Sequence, residues 1–142
     1  QPHGDQRTPG IRLGRKHRRD HRRGAAEQGD AVLEAVGGLL KGSFRDLDSV
    51  CRYGGEEICA ILPETVGEAA KSKAEYLRRK IEELRIGLLN KPGETMSVTV
   101  SIGVACVSKT TISEDQLLRE ADGALYECKS TGRNRVILAK PT

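Results

Sequence analysis

Ser49-Val50-Cys51-Arg52-Tyr53-Gly54-Gly55-Glu56-Glu57-Ile58-Cys59-Ala60-Ile61-Leu62 is the stretch whose reading decides the fold. Two short runs, Ser49–Tyr53 and Ile58–Leu62, flank a Gly-Gly turn and stop at Pro63, which predicts a β-hairpin. Consecutive glycines at the apex satisfy a turn that needs positive φ. The two glutamates that follow repel one another unless a cation or positive ligand neutralises them. Glycines without Cβ also let backbone N–H groups approach a phosphate. Taken alone, the loop is either an ordinary exposed turn or a nucleotide–metal site.

Working outward, Asp30 precedes an amphipathic stretch with Val32, Leu33, Val36, Leu39 and Leu40 on one face, so a helix with Asp30 as N-cap is expected. Gly37, Gly38 and Gly42 weaken its end. After Pro63, apolar residues Ala70, Ala74, Leu77, Ile81, Leu84 and Leu88 recur at spacings of 4, 3, 4, 3 and 4, which predicts a helix ended by Lys91-Pro92-Gly93. Strict alternation from Met96 to Cys106 predicts one long strand. Ser113 and Gln116 form a capping box before a helix with Leu117, Ala121, Ala124, Leu125 and Cys128 on its apolar face. Gly132 stands where a left-handed C-terminal residue belongs, and Val136-Ile137-Leu138 is a last short strand. The order α-β-β-α-β-α-β lacks only a leading strand to make a ferredoxin-like α/β sandwich with an added strand.

The 142 residues leave room for one domain. No apolar run reaches the roughly 18 residues that a membrane span needs, and no secretion signal is legible near the start. Cys51, Cys59, Cys106 and Cys128 lie far apart without a C-x-x-C pair, which favours reduced, buried thiols in a cytoplasmic protein. The net charge of +4 divides unevenly: residues 1–23 carry a net of +6 and all three histidines, and residues 24–142 a net of −2. The first segment has almost no apolar residues beyond Ile11 and Leu13 and reads as a basic arm or as text foreign to the domain. It is expected to contribute nothing to the fold. A basic nucleic-acid-binding protein would rest on that segment alone, so nucleic acid is not the expected partner.

Gly54–Ile58 resembles the GG(D/E)EF signature, with Arg52-Tyr53 before it and Ala60-Ile61-Leu62-Pro63 after it. Ser97–Ala105 resembles that family's TxSIGVA strand, and Ala121–Val136 its ADxALYxAKxxGRNRV ending. Residues 24–142 are thus identified as a partial GGDEF domain, the catalytic module of diguanylate cyclases, with a nucleotidyl-cyclase-like, mostly antiparallel central sheet. The resemblance implies condensation of two GTP into cyclic di-GMP, with Mg²⁺ or Mn²⁺ as cofactor and a second GGDEF domain as partner. It implies that Glu56 holds the metal and helps activate the ribose 3′-hydroxyl, with Glu57 beside it. Gly54 and Gly55 would contact the phosphates, and Asp30 the guanine edge. Lys129 and Arg133 would hold the triphosphate; four apart, they would share one helix-end face as a cationic clamp, though unaided they read as helix-dipole partners. Arg45 and Asp48 form an R-x-x-D at the family's spacing for an inhibitory cyclic di-GMP site.

The same comparison exposes a gap. The family strand D-x-D-x-F-K-x-x-N-D-x-x-G-H, with its metal-binding Asp, is absent, and Ile58 replaces the usual Phe. The expected sheet therefore has its first strand missing, with residues 1–23 disordered or non-native. The alternative function is a degenerate domain that senses GTP or cyclic di-GMP.

Overall fold

A computed structural model describes residues 10–15, 23–52, 57–108 and 113–140. In chain order the elements are β1 (Gly10–Arg15), α1 (Arg23–Ser43), β2 (Ser49–Arg52), β3 (Glu57–Ile61), α2 (Gly67–Glu83), β4 (Ile86–Gly87), β5 (Thr95–Met96), β6 (Val100–Ala105), α3 (Glu114–Ser130) and β7 (Val136–Leu138). The main sheet runs β2-β3-β1-β6-β7, with β4 and β5 as a separate two-stranded ribbon. All pairings in the main sheet are antiparallel except β6 with β7. This is the expected α/β sandwich.

The missing first strand is a correction. Gly10–Arg15 occupies the middle of the sheet, pairing with β3 from Gly10↔Ile61 to Gly14↔Glu57 and with β6 from Gly10↔Ala105 to Arg15↔Val100. The physical reason is that a central strand is selected by backbone N–H and C=O groups, which every non-proline residue carries. With β3 and β6 both presenting open edges, a basic six-residue segment serves. Its only strong apolar residues, Ile11 and Leu13, stand in register with Ala60 and Ile58 on one side and Val104 and Ile102 on the other. The expectation that residues 1–23 contribute nothing to the fold fails for this part of them.

Helix α1 begins seven residues before Asp30, which is an exposed mid-helix residue and not an N-cap. Tertiary anchoring extends the helix: the Gln28 side chain donates to Gly87 O at 3.0 Å and accepts from Leu89 N at 2.8 Å. Gly37 and Gly38 do not interrupt it. Each glycine costs about 1 kcal/mol against Ala, whereas burying each of Val32, Val36 and Leu40 contributes about 1.5–3 kcal/mol. Helix α2 buries Ala70, Ala74, Leu77 and Ile81 but stops at Glu83, short of the expected end. Leu84 turns extended, and Ile86 becomes a buried strand residue paired with Met96. Lys91-Pro92-Gly93 then serves the β4–β5 connection, with Gly93 at φ +84.

The alternation from Met96 to Cys106 is likewise divided, because β5 and β6 belong to different sheets. Strand β6 is buried on both faces. Val100, Ile102 and Val104 join the core beneath α1 and α2; the alternate residues face α3. A Cβ added at Gly103 would collide with Ala121 O and lie 2.5 Å from Leu125 N, so α3 packs on bare strand backbone. Cys59 and Cys128 are buried as expected, but Cys51 is exposed because β2 is an edge strand, and Cys106 is half-buried.

Arg12→Pro removes a ladder donor from the central strand and is expected to cost about 3 kcal/mol or more. Gly103→Ala forces α3 off the sheet, with an expected loss of about 3 kcal/mol. Urea unfolding checks both; an unchanged midpoint for Arg12→Pro would mean that the sheet closes without β1.

Candidate active site

Strand register gathers the chemistry-bearing residues at one end of the sheet. Glu57 opens β3 opposite Gly14, near the end of β1; Arg15 pairs with Val100 at the start of β6; and Val136 starts β7 beside Ile102. The hairpin turn, the end of β1 and the turn entering β7 therefore share that end. Tyr53, Gly54, Gly55 and Glu56 lie outside the described residues. Of the expected signature residues, Glu57 is placed, half-buried at the first position of β3.

Between α1 and the β2–β3 hairpin lies an open cleft of about 210 Å³, lined by Leu33, Gly37, Leu40, Val50, Arg52 and Glu57 among others. Leu33 and Gly37 stand one residue beyond the buried Val32 and Val36, and this side of α1 meets the core at Leu40, which lines the cleft as well. Asp30 stands one turn before Leu33 on that same side. A Cβ at Gly37 would meet no atom within 4 Å, so the helix leaves open space facing the hairpin. Sequence reasoning assigned Leu33 to the core face and missed the cleft. The available signal was the pairing of an apolar residue with a glycine four positions on.

Lys129 is in the last turn of α3, half-buried. Arg133 is not on the helix, so the expected shared helix face is corrected: α3 ends at Ser130, with Thr131 as C-cap. The chain then turns through Gly132, Arg133 and Asn134 at φ +121, +63 and +48. Arg133 N donates to Cys128 O at 2.8 Å, which folds the arginine back onto the final helical turn that carries Lys129. This closure, and not helical spacing, returns the Arg133 backbone to the turn that carries Lys129.

Arg45 and Asp48 lie together between α1 and β2. The Asp48 carboxylate, fully buried, accepts from Arg45 N at 2.9 Å, Nη2 at 2.7 Å and Nε at 3.1 Å. Arg45 Nη2 also donates to Pro63 O at 2.9 Å and Thr65 Oγ1 at 3.2 Å. Burial works to raise the Asp48 pKa, but the side-chain and backbone hydrogen bonds from Arg45, with the charges of Arg45 and Lys73, prevail and hold it below its ordinary value. The hydrogen bond to Asp48 raises the Arg45 pKa. The guanidinium is thus fixed in place yet half exposed.

The sequence matches the family described as diguanylate cyclase, GGDEF domain, over residues 22–135. The chain belongs to that family. It is 42% identical over 112 residues to diguanylate cyclase A of Treponema denticola, an overlap covering 79% of this chain and 29% of that protein. It spans under a third of the length of such curated relatives. The crystal structure of the GGDEF domain of DgcB from Caulobacter crescentus in complex with c-di-GMP is 27% identical with a TM-score of 0.80, covering 95% of this chain and 80% of that one. The active GGEEF domain of a Vibrio cholerae diguanylate cyclase, 24% identical, shares the fold with a TM-score of 0.80 over 96% of this chain and 85% of that one. That structural overlap is longer than the 22–135 sequence match, and β1 (Gly10–Arg15) lies upstream of that match.

Asp48 titrates lower in the folded protein than its ordinary 3.8. Its contribution to stability is therefore complete above about pH 4 and is lost as pH falls through the lower, folded value. Urea midpoints measured from pH 6 to 2 are expected to fall less steeply for Asp48→Asn than for wild type. Parallel acid limbs would refute the assignment.

Proposed function

We propose that this GGDEF domain binds one GTP at the signature end of its sheet and, paired with a second domain, condenses two GTP into cyclic di-GMP and two pyrophosphates. The observation that carries the reading is the register, which brings the β3 carboxylate, the α1 cleft and the cationic turn before β7 to one end of the sheet. In this reading Leu33, Gly37 and Val50 hold the base against the cleft, and Asp30 accepts hydrogen bonds from the guanine N–H groups. Gly54 and Gly55 bring backbone N–H groups to the phosphates, and Lys129 and Arg133 hold the triphosphate. Each 3′-hydroxyl forms a bond to the α-phosphorus of the partner domain's GTP as the bond to pyrophosphate breaks. Glu56 accepts the hydroxyl proton.

The described residues contain no cluster of three or more potential metal-ligating side chains. The donor set nonetheless fits Mg²⁺ or Mn²⁺, since such ions bind through one or two carboxylates together with substrate phosphates. Glu56 would hold the ion with Glu57 beside it. When bound, the ion supplies neutralisation of the charge that develops on the phosphates. The described residues contain no helix long and apolar enough to cross a membrane.

One observation favours a second reading, a domain that binds cyclic di-GMP without making it efficiently. The central strand Gly10-Ile11-Arg12-Leu13-Gly14-Arg15 carries no carboxylate, whereas Arg45 and Asp48 are already assembled. Charge stabilisation by a properly held metal is worth several kcal/mol, so turnover by this chain is expected to fall on the order of a hundredfold or more below that of the Treponema denticola relative. Chromatography of product from GTP and Mg²⁺ measures this, and Glu56→Gln is expected to remove the residual activity. Robust cyclic di-GMP from wild type and Glu56→Gln alike would contradict the site. Arg45→Ala is expected to weaken cyclic di-GMP binding roughly ten- to a hundredfold, read by calorimetry; equal affinities would exclude Arg45 from the ligand.

A further inference from the structure

The turn that carries Arg133 is clamped by a helix on the opposite face of the sheet. Three successive residues, Gly132, Arg133 and Asn134, have positive φ, and only the first is a glycine. Such a conformation persists in side-chain-bearing residues where the surroundings over-determine it. The backbone of Arg133 is engaged on both sides, its N–H donating to Cys128 O and its carbonyl accepting from Arg135 Nε at 3.1 Å. Asn134 is engaged through its side chain. Its Oδ1 accepts from Arg78 Nη1 at 2.9 Å, and its Nδ2 donates to Glu82 Oε2 at 2.5 Å. Both partners are on α2, more than fifty residues away in sequence.

The clamp is itself braced. Arg78 is only 16% exposed and donates to Glu75 Oε2 from Nε at 3.3 Å and from Nη2 at 3.1 Å, with Glu82 Oε1 3.7 Å from its Nη1. With two glutamates fixing the guanidinium plane, the direction of the Nη1–H bond to Asn134 is set before any ligand arrives. The amide is held at both its oxygen and its nitrogen, so it cannot rotate without losing both partners.

We propose that Arg78 and Asn134 are positioning residues: they lock the left-handed turn and so aim Arg133 at the triphosphate of the nucleotide. The inference rests on the assignment of Arg133 to the triphosphate in the functional reading above. Arg78 touches no substrate. It acts through the Asn134 amide and the turn backbone, and α2 thereby becomes part of the phosphate subsite.

The test compares GTP and GMP affinities by calorimetry in the presence of Mg²⁺, alongside thermal melts. Arg133→Ala is expected to lower GTP affinity about tenfold and to leave GMP affinity nearly unchanged, because the interaction is charge-assisted and directed at the outer phosphates. Asn134→Gly retains a residue tolerant of positive φ, leaves every charge in place and deletes the amide. It is expected to lower the GTP-to-GMP affinity ratio roughly three- to tenfold. Arg78→Ala is expected to do the same, with partial recovery in Arg78→Lys. Arg133→Ala added to Asn134→Gly is expected to bring GTP affinity to that of Arg133→Ala alone and no lower, since the amide acts only through the arginine.

Should Arg78→Ala lower the melting temperature substantially, Asn134→Gly decides the matter. If Arg133→Ala weakens GTP but Asn134→Gly leaves the GTP-to-GMP ratio unchanged, the positioning role is overturned and the triphosphate assignment stands. If wild type binds no GTP, or Arg133→Ala has no effect, the triphosphate assignment falls and the positioning role with it.

Discussion

Strands β3 and β6 do not pair with each other, and each needs a partner for the backbone groups along its inner edge. Strand β1 supplies both sets, running antiparallel to both neighbours from Gly10 to Gly14 and on to Arg15 against β6. A buried backbone group without a partner costs as much as a lost hydrogen bond, so this doubly paired ladder is what makes one sheet out of two ribbons. The hairpin bearing the signature reaches the β6–β7–α3 half of the molecule through it. The common sheet end that gathers the candidate site exists because β1 fixes the register on either side.

Two-sided burial of β6 follows from that central location. One face carries Val100, Ile102 and Val104 into the core beneath α1 and α2, and the other receives α3 against Gly103. The absence of a Cβ brings the helix backbone close to the strand. Packing of this kind leaves α3 little freedom to slide, and its C-terminal turn enters β7 at a defined height. The Cys128 thiol donates to Ile102 O at 3.3 Å, a contact at the same level of the sheet where β7 begins. Placement of Lys129 and Arg133 is therefore a consequence of sheet packing more than of helix sequence.

Charge is distributed around the molecule to match. The Arg45–Asp48 pair is assembled within the protein, with the carboxylate fully buried and the guanidinium half exposed. Arg78 is similarly surrounded by acceptors on α2 and in the turn before β7. In both places a rigid arginine fork is held by carboxylates, the geometry for which arginine is suited and lysine is not. The first offers its exposed part to solvent. The second spends its donors on holding another residue in place.

The hairpin, the heart of α2, the N-cap of α3, the final strand and the family itself were legible in the sequence because each rests on local pattern: period, turn chemistry, or a run of signature residues. Ser113 Oγ does accept from Gln116 N, at 3.1 Å, as the capping motif requires. Tertiary structure decided the remainder. Gly10–Arg15 became the central strand because two open edges select backbone and not side-chain pattern, and so a basic segment was read as an arm outside the fold. Helix α1 started early because Gln28 found Gly87 and Leu89, and α2 stopped early because Ile86 found Met96. Arg133 left the helix because Cys128 O and the Arg78–Asn134–Glu82 contacts hold a turn that no spacing rule describes. Local sequence specified most of the elements; contacts between residues distant in sequence selected the central strand, set the limits of the others and brought the site together, since only folding supplies those partners.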